Sequence, residues 1–219
     1  MVQALLNTSN GRRPPQFFHQ AVRHLVLEDE SSCSPDDGTK LLRLCTGLVS
    51  FASPRLIFDP NLLPILADLG IVQRLCLSPQ ILFASGSFDL THSAFQSVTH
   101  LDAFGSGMEE ALADISALPA LTHLCLDPAV PWDALTQVLV KCPRLELLFV
   151  QWSVGSKQNY EAAQKPGVYD LRLVIGLYED YWKDWEDEVK GVLCYWAEAD
   201  AFVAKKRRGE IEPTRYWMH

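Results

Sequence analysis

A short apolar pattern recurs seven times along this chain at nearly constant spacing. Each copy has the form x-x-x-Leu-x-Leu or a close variant, and the copies begin at Val22, Leu48, Val72, Val98, Leu121, Leu145 and Leu171. Subtracting successive starting positions gives steps of 26, 24, 26, 23, 24 and 26 residues. A fixed period of this length is typical of a solenoid, in which each repeat adds one strand and one return segment to a stack.

The segments between the copies have the spacing of short helices. Leu135, Val138, Leu139 and Cys142 follow the i, i+3, i+4, i+7 pattern of one helical face. One strand–helix unit cannot bury its apolar face alone, so stacked units share a core and their strands form a concave parallel sheet. We therefore predict an α/β solenoid of about seven strand–helix units over residues 22–178, after an N-terminal lead-in at residues 1–21.

Four sequence segments resemble those of a known family: VRHLVLED, VTHLDAF, LTHLCLDP and the tail WAEADAFVAKKRRGEIE. With the repeat period, they resemble the leucine-rich-repeat superfamily over about residues 22–178, and within it fungal proteins of the F-box/leucine-rich-repeat-like kind. The resemblance implies protein recognition. Two departures matter: aspartate or serine stands where the repeat consensus has asparagine or cysteine, and no segment reads as an F-box. Docking to a ubiquitin-ligase adaptor is therefore not expected of this chain.

Residues 179–219 differ in composition from the repeats and predict a long C-terminal capping helix with a short tail. Seven apolar residues spaced 3, 4, 3, 4, 3 and 4 positions apart form one stripe: Trp182, Trp185, Val189, Val192, Trp196, Ala199 and Val203. Gly209 suits the left-handed position that follows a helix. The tail either caps the solenoid, which we favour, or binds a partner or a second copy. The run KKRR at residues 205–208 is either the last helical turn, which we favour, or a nuclear import signal.

The third and fifth positions of each copy are predicted to face the concave side of the sheet. Arg74, His100 and His123 occupy third positions, and Asp102 occupies a fifth. Parallel neighbours lie about 4.8 Å apart, so these side chains are expected to form one row. Such a row favours an acidic or phosphorylated peptide as ligand. The alternative is a solvated strand face that binds nothing.

The same face is predicted to become apolar toward the C-terminal end. Leu147, Phe149, Leu173 and Ile175 lie there, with Trp152 just past its strand. This patch is either an exposed contact surface or the area that the tail covers, and we prefer cover. The candidate partner-binding residues are Arg74, His100, Asp102, His123, Phe149 and Trp152.

Composition narrows the possible ligands and compartments. A net charge of −8 disfavours nucleic acid, and no apolar window is long enough to predict a membrane span. The start lacks a secretory signal, and six cysteines without a C-x-x-C pair indicate reduced thiols. We expect a cytoplasmic or nuclear protein that is not secreted.

No catalytic, cofactor-binding or metal-binding motif stands out in the sequence. Two histidines and an aspartate on a flat strand face would stand parallel instead of converging on a metal ion. We therefore expect no catalytic residues, no cofactor and no metal. The leading hypothesis is a non-catalytic scaffold that binds a protein or peptide on its concave face. The alternative is a fragment or paralogue of an F-box-type substrate receptor that lacks its adaptor-binding part. The sequence leaves the partner's identity and the oligomeric state open.

Overall fold

The computed structural model describes residues 15–27, 33–53, 62–78, 89–105, 108–153, 168–178 and 180–218. The chain divides into two compact units, residues 1–121 and residues 122–219. Most of the predicted lead-in, residues 1–14, lies outside the described part. Among the described residues, no helix combines the length and the apolar character that crossing a membrane requires.

Every copy of the repeat pattern forms a β-strand that begins at its third position, as predicted. The strands are β1 (His24–Val26), β2 (Ser50–Ser53), β3 (Arg74–Leu77), β4 (His100–Ala103), β5 (His123–Leu126), β6 (Leu147–Ser153) and β7 (Leu173–Tyr178). The pairs β1–β2, β2–β3 and β3–β4 of the first unit and β5–β6 and β6–β7 of the second are all parallel. Short helices lie in the connections before β2 to β6, so the predicted α/β class with parallel strands is confirmed. Residues 154–167, between β6 and β7, lie outside the described residues.

The predicted register holds in the first unit. There His24, Ser50, Arg74 and His100 are successive partners across β1 to β4. The leucine or phenylalanine that follows each third position points to the opposite side, where Phe51, Leu75 and Leu101 are buried. The core of this unit therefore lies on the predicted side of its strands.

The register of the last strand pair differs by one residue from the prediction. His123 pairs with Leu147 as expected, but Leu173 pairs with Leu148 and Val174 pairs with Phe149. Leu173 and Ile175 therefore do not share a face with Phe149, and the predicted apolar set was wrong in these two members. The shift places Gly176 on the face of Phe149, where an added Cβ would lie 2.5 Å from the Phe149 Cζ atom. Only glycine leaves room for this ring.

Seven α-helices occur in the described residues. They are α1 (Pro15–Ala21), α2 (Pro35–Leu44), α3 (Leu62–Leu69), α4 (Met108–Ala113), α5 (Trp132–Lys141), α6 (Tyr181–Val189) and α7 (Tyr195–Arg207). Side-chain N-caps precede two of them. The Ser34 side chain accepts a hydrogen bond from Asp37 N before α2, and the Asp180 side chain accepts from two backbone N–H groups before α6. On α5, Leu135, Val138 and Leu139 are buried as the apolar spacing predicted.

The C-terminal segment forms two helices, so the prediction of one long helix was wrong. Gly191 has φ +72° and ends α6. The Val192 N–H donates to Asp187 O and the Gly191 N–H donates to Glu188 O, which is a Schellman motif. The break divides the predicted stripe: Trp185, Trp196, Ala199 and Val203 are buried, whereas Val189 and Val192 are half-exposed. Gly209 has the same φ and ends α7, as predicted.

The tail also closes the outer edge of β7. The Lys206 ammonium donates to Leu173 O at 2.6 Å and to Leu171 O at 3.3 Å. Farther along the strand, Ile175 N donates to Tyr216 O and Met218 N donates to Ile175 O. An uncovered strand edge is a template for pairing with other chains. These contacts favour the capping interpretation of the tail.

Lys206 should make stability depend on pH above neutrality. Its side chain is 2% exposed and lies over the rings of Phe202 and Tyr216. Burial lowers its pKa to about 8, although Asp170 acts in the opposite direction. The unfolded chain, with an ordinary lysine pKa near 10.4, binds the proton more tightly in this window. Stability should therefore rise as the pH increases from about 8, with a slope of up to about 1.4 kcal/mol per pH unit.

The measurement is urea unfolding between pH 7.5 and about 9.5 for the wild type and for Lys206→Met. Because the other titrating groups are common to both proteins, only the difference between their slopes reports Lys206. The wild type should gain stability relative to the variant as the pH rises. Parallel stability curves would contradict the lowered pKa of Lys206.

Candidate functional site

The predicted candidates of the first unit form a buried polar pair. Arg74 and Asp102 lie on the same strand face, with Arg74 Nε 3.5 Å from Asp102 Oδ2. Arg74 is 5% exposed and Asp102 is fully buried. His100 is half-buried beside Arg74, and its Nδ1 lies 2.9 Å from Thr99 Oγ1. The side chains lie together as predicted, but the buried ion pair is not available as a contact surface.

The predicted candidates of the second unit are covered by the tail. His123 Nε2 lies 3.1 Å from Asp200 Oδ1 of α7, and the His123 ring meets Trp196 edge-on at 5.5 Å between centroids. Phe149 is 1% exposed and stacks on Tyr195 at 5.3 Å. His123 and Phe149 therefore contact the protein's own side chains. The cover over Phe149 agrees with the preferred interpretation of the apolar patch, whereas His123 was predicted in a row open to a ligand.

Trp152 lies elsewhere than the sequence predicted. It is inside β6, not beyond its end, and it pairs with Leu177 of β7. Because side chains alternate along a strand, Trp152 shares a face with Leu148 and Val150, opposite to that of Phe149. Its side chain is half-buried. The position of Trp152 in a single patch with Phe149 was therefore wrong.

An open groove of about 740 Å³ lies in the second unit, away from the predicted site. Thr122, Glu146 and Arg172 line it just before the amino ends of β5, β6 and β7. The end of α5, the loop after it and the last residue of α7 complete the lining. The full lining, which we call the basic groove, is Thr122, Leu139, Val140, Pro143, Arg144, Leu145, Glu146, Arg172 and Arg207.

Arg172 connects several segments of the second unit within the basic groove, and we call its set of hydrogen bonds the clasp. Its guanidinium donates to both carboxylate oxygens of Asp170, at 2.9 and 2.6 Å. It also donates to the backbone carbonyls of Leu139 at 2.7 Å, Cys142 at 3.1 Å and Leu145 at 3.3 Å. These five hydrogen bonds match the five N–H groups of the side chain. Arg172 thereby satisfies carbonyls at the carboxyl end of α5 and connects the starts of β6 and β7.

Asp170 balances the charge of this clasp. Burial alone would raise the pKa of the Asp170 carboxyl, but hydrogen bonds from the Arg172 side chain and backbone outweigh burial and hold that pKa below its usual range. The pair is therefore an arginine cation facing a carboxylate at neutral pH. Arg172 adds little net charge to the basic groove.

Arg144 and Arg207 are the exposed cations of the lining. Arg207 donates to the backbone carbonyl of Glu146 at 3.4 Å, which places the end of α7 beside the loop before β6. Glu146 is the one acidic side chain in the lining as the structure describes it. Val140, which also lines the groove, is 77% exposed. The basic groove thus combines two arginines with an uncovered apolar side chain.

The basic groove was not among the sites predicted from the sequence. Arg144 and Arg207 are distant in sequence, and only the end of α7 against the loop before β6 brings them into one lining. The signals available were the basic run at residues 205–208 and the outward position of Val140 on the α5 pattern. Neither Arg144 nor Arg207 lies at a position of the repeat pattern, so the pattern that predicted the strands could not indicate this site.

Other chemistry in the described residues is limited. No group of three or more histidine, cysteine or acidic side chains with the arrangement of a metal site occurs in the part of the chain that the structure describes. Burial raises the pKa of the Cys45 thiol to about 11 and also raises the pKa of Cys33 and Cys142. These thiols stay protonated at neutral pH, and a protonated thiol is a weak nucleophile.

Comparison of the chain with protein-family models, with curated proteins and with solved structures finds no match.

Proposed function

We propose that this protein is a non-catalytic recognition scaffold of the leucine-rich-repeat kind, and that its protein partner binds in the basic groove. The regular strand spacing and parallel pairing support the repeat architecture. The observation that carries the proposed function is the basic groove itself, which presents Arg144, Arg207 and Val140 to solvent. Exposed arginine beside an apolar side chain is typical of contact surfaces between proteins.

The state of the predicted concave site supports this choice of surface. Arg74 and Asp102 form an ion pair with each other. His123 is hydrogen-bonded to Asp200 of the tail, and Phe149 stacks on Tyr195 of the tail. A partner could reach His123 or Phe149 only after α7 had moved away, which would expose buried aromatic surface. The basic groove needs no such rearrangement, so it is the more accessible of the two sites.

The engaged state of the reactive side chains supports a non-catalytic function. An active site needs an acid, base or nucleophile that is positioned toward a substrate. In the second unit, Arg172 contacts Asp170 and backbone carbonyls, and His123 contacts Thr122 and Asp200. These two side chains are therefore engaged with groups of the same unit.

Reversing the charge of both exposed arginines of the basic groove should abolish partner binding. A protein captured by the wild-type chain from its native cell would be purified and titrated against the wild type and against Arg144→Glu with Arg207→Glu. The double variant should bind at least about tenfold more weakly, because each exposed cation would be replaced by a repelling anion. Circular dichroism and thermal melting verify that the variant is folded.

Lys205→Glu with Arg208→Glu is the matched control. It makes the same change in net charge at the end of α7, but neither residue lines the basic groove. The control should retain binding within about threefold. Equal affinity of the wild type and the groove variant, or equal loss in both double variants, would contradict the basic groove as the contact site.

A further inference from the structure

We infer that the occupant of the basic groove is an acidic peptide segment that also carries an apolar side chain. This inference rests on the proposed function, because it assigns the partner's chemistry to the same groove. It follows from three features of the lining: its charge, its exposed valine and the absence of aromatic side chains among its nine residues.

The charge of the lining selects an anionic ligand. Arg172 is neutralised by Asp170 and makes all its hydrogen bonds within the protein, so it offers no donor to a ligand. Arg144 and Arg207 are both exposed in the lining, which contains Glu146 as its one acidic residue among those the structure describes. A carboxylate on the ligand can accept paired N–H groups from an arginine, which a neutral ligand cannot.

The positive surface is local. Residues 179–200 hold eight acidic and two basic side chains, and the whole chain carries a charge of −8. A polyanion that extended beyond the groove would meet the general negative field of the protein. The charge distribution therefore fits a short acidic segment better than a long polyanion such as nucleic acid.

The apolar part of the lining favours an apolar side chain on the ligand in addition to its carboxylates. Val140 is 77% exposed on α5, although Val138 and Leu139 of the same helix are buried. Pro143 adds a second exposed apolar side chain to the lining. An aliphatic side chain on the ligand would remove this surface from water while the flanking carboxylates reach the arginines.

The lining does not fit a nucleic acid. Single strands bind by stacking their bases on aromatic side chains, as well as by their charge. The nine lining residues that the structure describes include no phenylalanine, tyrosine, tryptophan or histidine. A phosphodiester backbone would find two arginines but no stacking platform. The peptide is therefore the ligand that the observed side chains favour.

Fluorescence anisotropy with defined probes tests the inference on the whole chain. The probe is a fluorescein-labelled peptide of Glu-Glu-Leu repeats. The comparison peptides replace leucine by serine or glutamate by lysine, and labelled oligothymidylate tests for general polyanion binding. The Glu-Glu-Leu peptide should bind roughly tenfold or more tightly than either comparison peptide and than the oligonucleotide. Its binding should weaken by roughly tenfold or more in Arg144→Glu with Arg207→Glu, but by less than about threefold in Lys205→Glu with Arg208→Glu.

Charge reversal provides a gain-of-binding arm. The double variant Arg144→Glu with Arg207→Glu should bind the Lys-Lys-Leu peptide more tightly than the wild type does. Equal binding of the leucine and serine peptides would overturn the apolar part of the inference. Equal or tighter binding of oligothymidylate, or peptide binding that is insensitive to Arg144 and Arg207, would overturn the acidic-peptide assignment.

The outcomes separate this inference from the proposed function. If the captured partner needs Arg144 and Arg207 but the Glu-Glu-Leu peptide does not bind, the acidic-peptide assignment is wrong and the recognition function stands. If the partner binds independently of both arginines, both proposals are wrong.

Discussion

Replacing Arg172 with lysine is expected to lower the free energy of unfolding by about 3 kcal/mol. Lysine offers three N–H donors from one nitrogen atom, whereas Arg172 uses five donors from three. The variant therefore cannot keep both the bidentate contact with Asp170 and the bonds to the carbonyls of Leu139, Cys142 and Leu145. The carbonyls of Leu139 and Cys142 lie at the end of α5, beyond the reach of the helical N–H groups, and that of Leu145 lies in the loop before β6.

Urea unfolding followed by circular dichroism measures this loss. The matched control is Arg208→Lys, since the Arg208–Glu210 pair is a bidentate contact on an exposed surface. The control should leave the unfolding midpoint unchanged within error, because water and salt replace an exposed pair at little cost. Equal midpoints for Arg172→Lys and the wild type would show that the clasp does not hold the strands together.

Replacing Trp196 with alanine is expected to cost about 3–5 kcal/mol. Trp196 is 3% exposed and contacts three rings: His123 at 5.5 Å, Phe149 at 6.4 Å and Tyr195 at 4.9 Å between centroids. Its removal leaves a cavity over the strand face and takes away the edge-on partner of His123. Thermal melting and urea unfolding measure the loss, and the variant should bind hydrophobic dyes if α7 detaches from the strands.

Trp182→Ala is the matched control for this substitution. Trp182 is half-buried near the start of α6 and contacts Tyr181 at 5.0 Å. Its replacement should cost less than half as much as that of Trp196, because less surface becomes exposed to water. The two interpretations of the tail differ here. Loss of folding in Trp196→Ala identifies a cap, whereas retained stability with loss of self-association would identify an interface.

The strands and the end of α7 could be predicted from the sequence because local patterns determine them. A repeat with fixed spacing places one strand per copy, and each strand begins at the third position of its copy. Gly209 marked the end of α7 because a left-handed position after a helix favours glycine. Both inferences use residues within a few positions of each other.

The break at Gly191 and the shifted register of β7 escaped prediction. The apolar stripe continued across Gly191, so spacing alone favoured one helix over two. The signal in the sequence was the weak helix propensity of Gly191. The regular apolar stripe on both sides of Gly191 indicated a continuous helix more strongly. The register depends on the Phe149 ring beside Gly176, a contact between strands that no pattern within either strand contains.

The location of the candidate site could not be predicted because it depends on tertiary contacts. The repeat pattern identified a strand face and its residues, but not that α7 would place Tyr195, Trp196 and Asp200 on that face. The basic groove likewise joins Arg144 and Arg207 only in the folded unit. The tail thus has two effects within the second unit: it covers the predicted surface and supplies one side of the groove.

Backbone NMR of the isotope-labelled protein, titrated with the Glu-Glu-Leu peptide, tests most directly whether recognition occurs in the basic groove. The account predicts that the largest chemical-shift changes fall on residues 139–146 and 205–208, and that strand residues 123–126 and 147–151 change little. Shift changes concentrated on those strand residues, with the groove residues unaffected, would contradict binding in the basic groove. They would indicate that the peptide binds on the strand face.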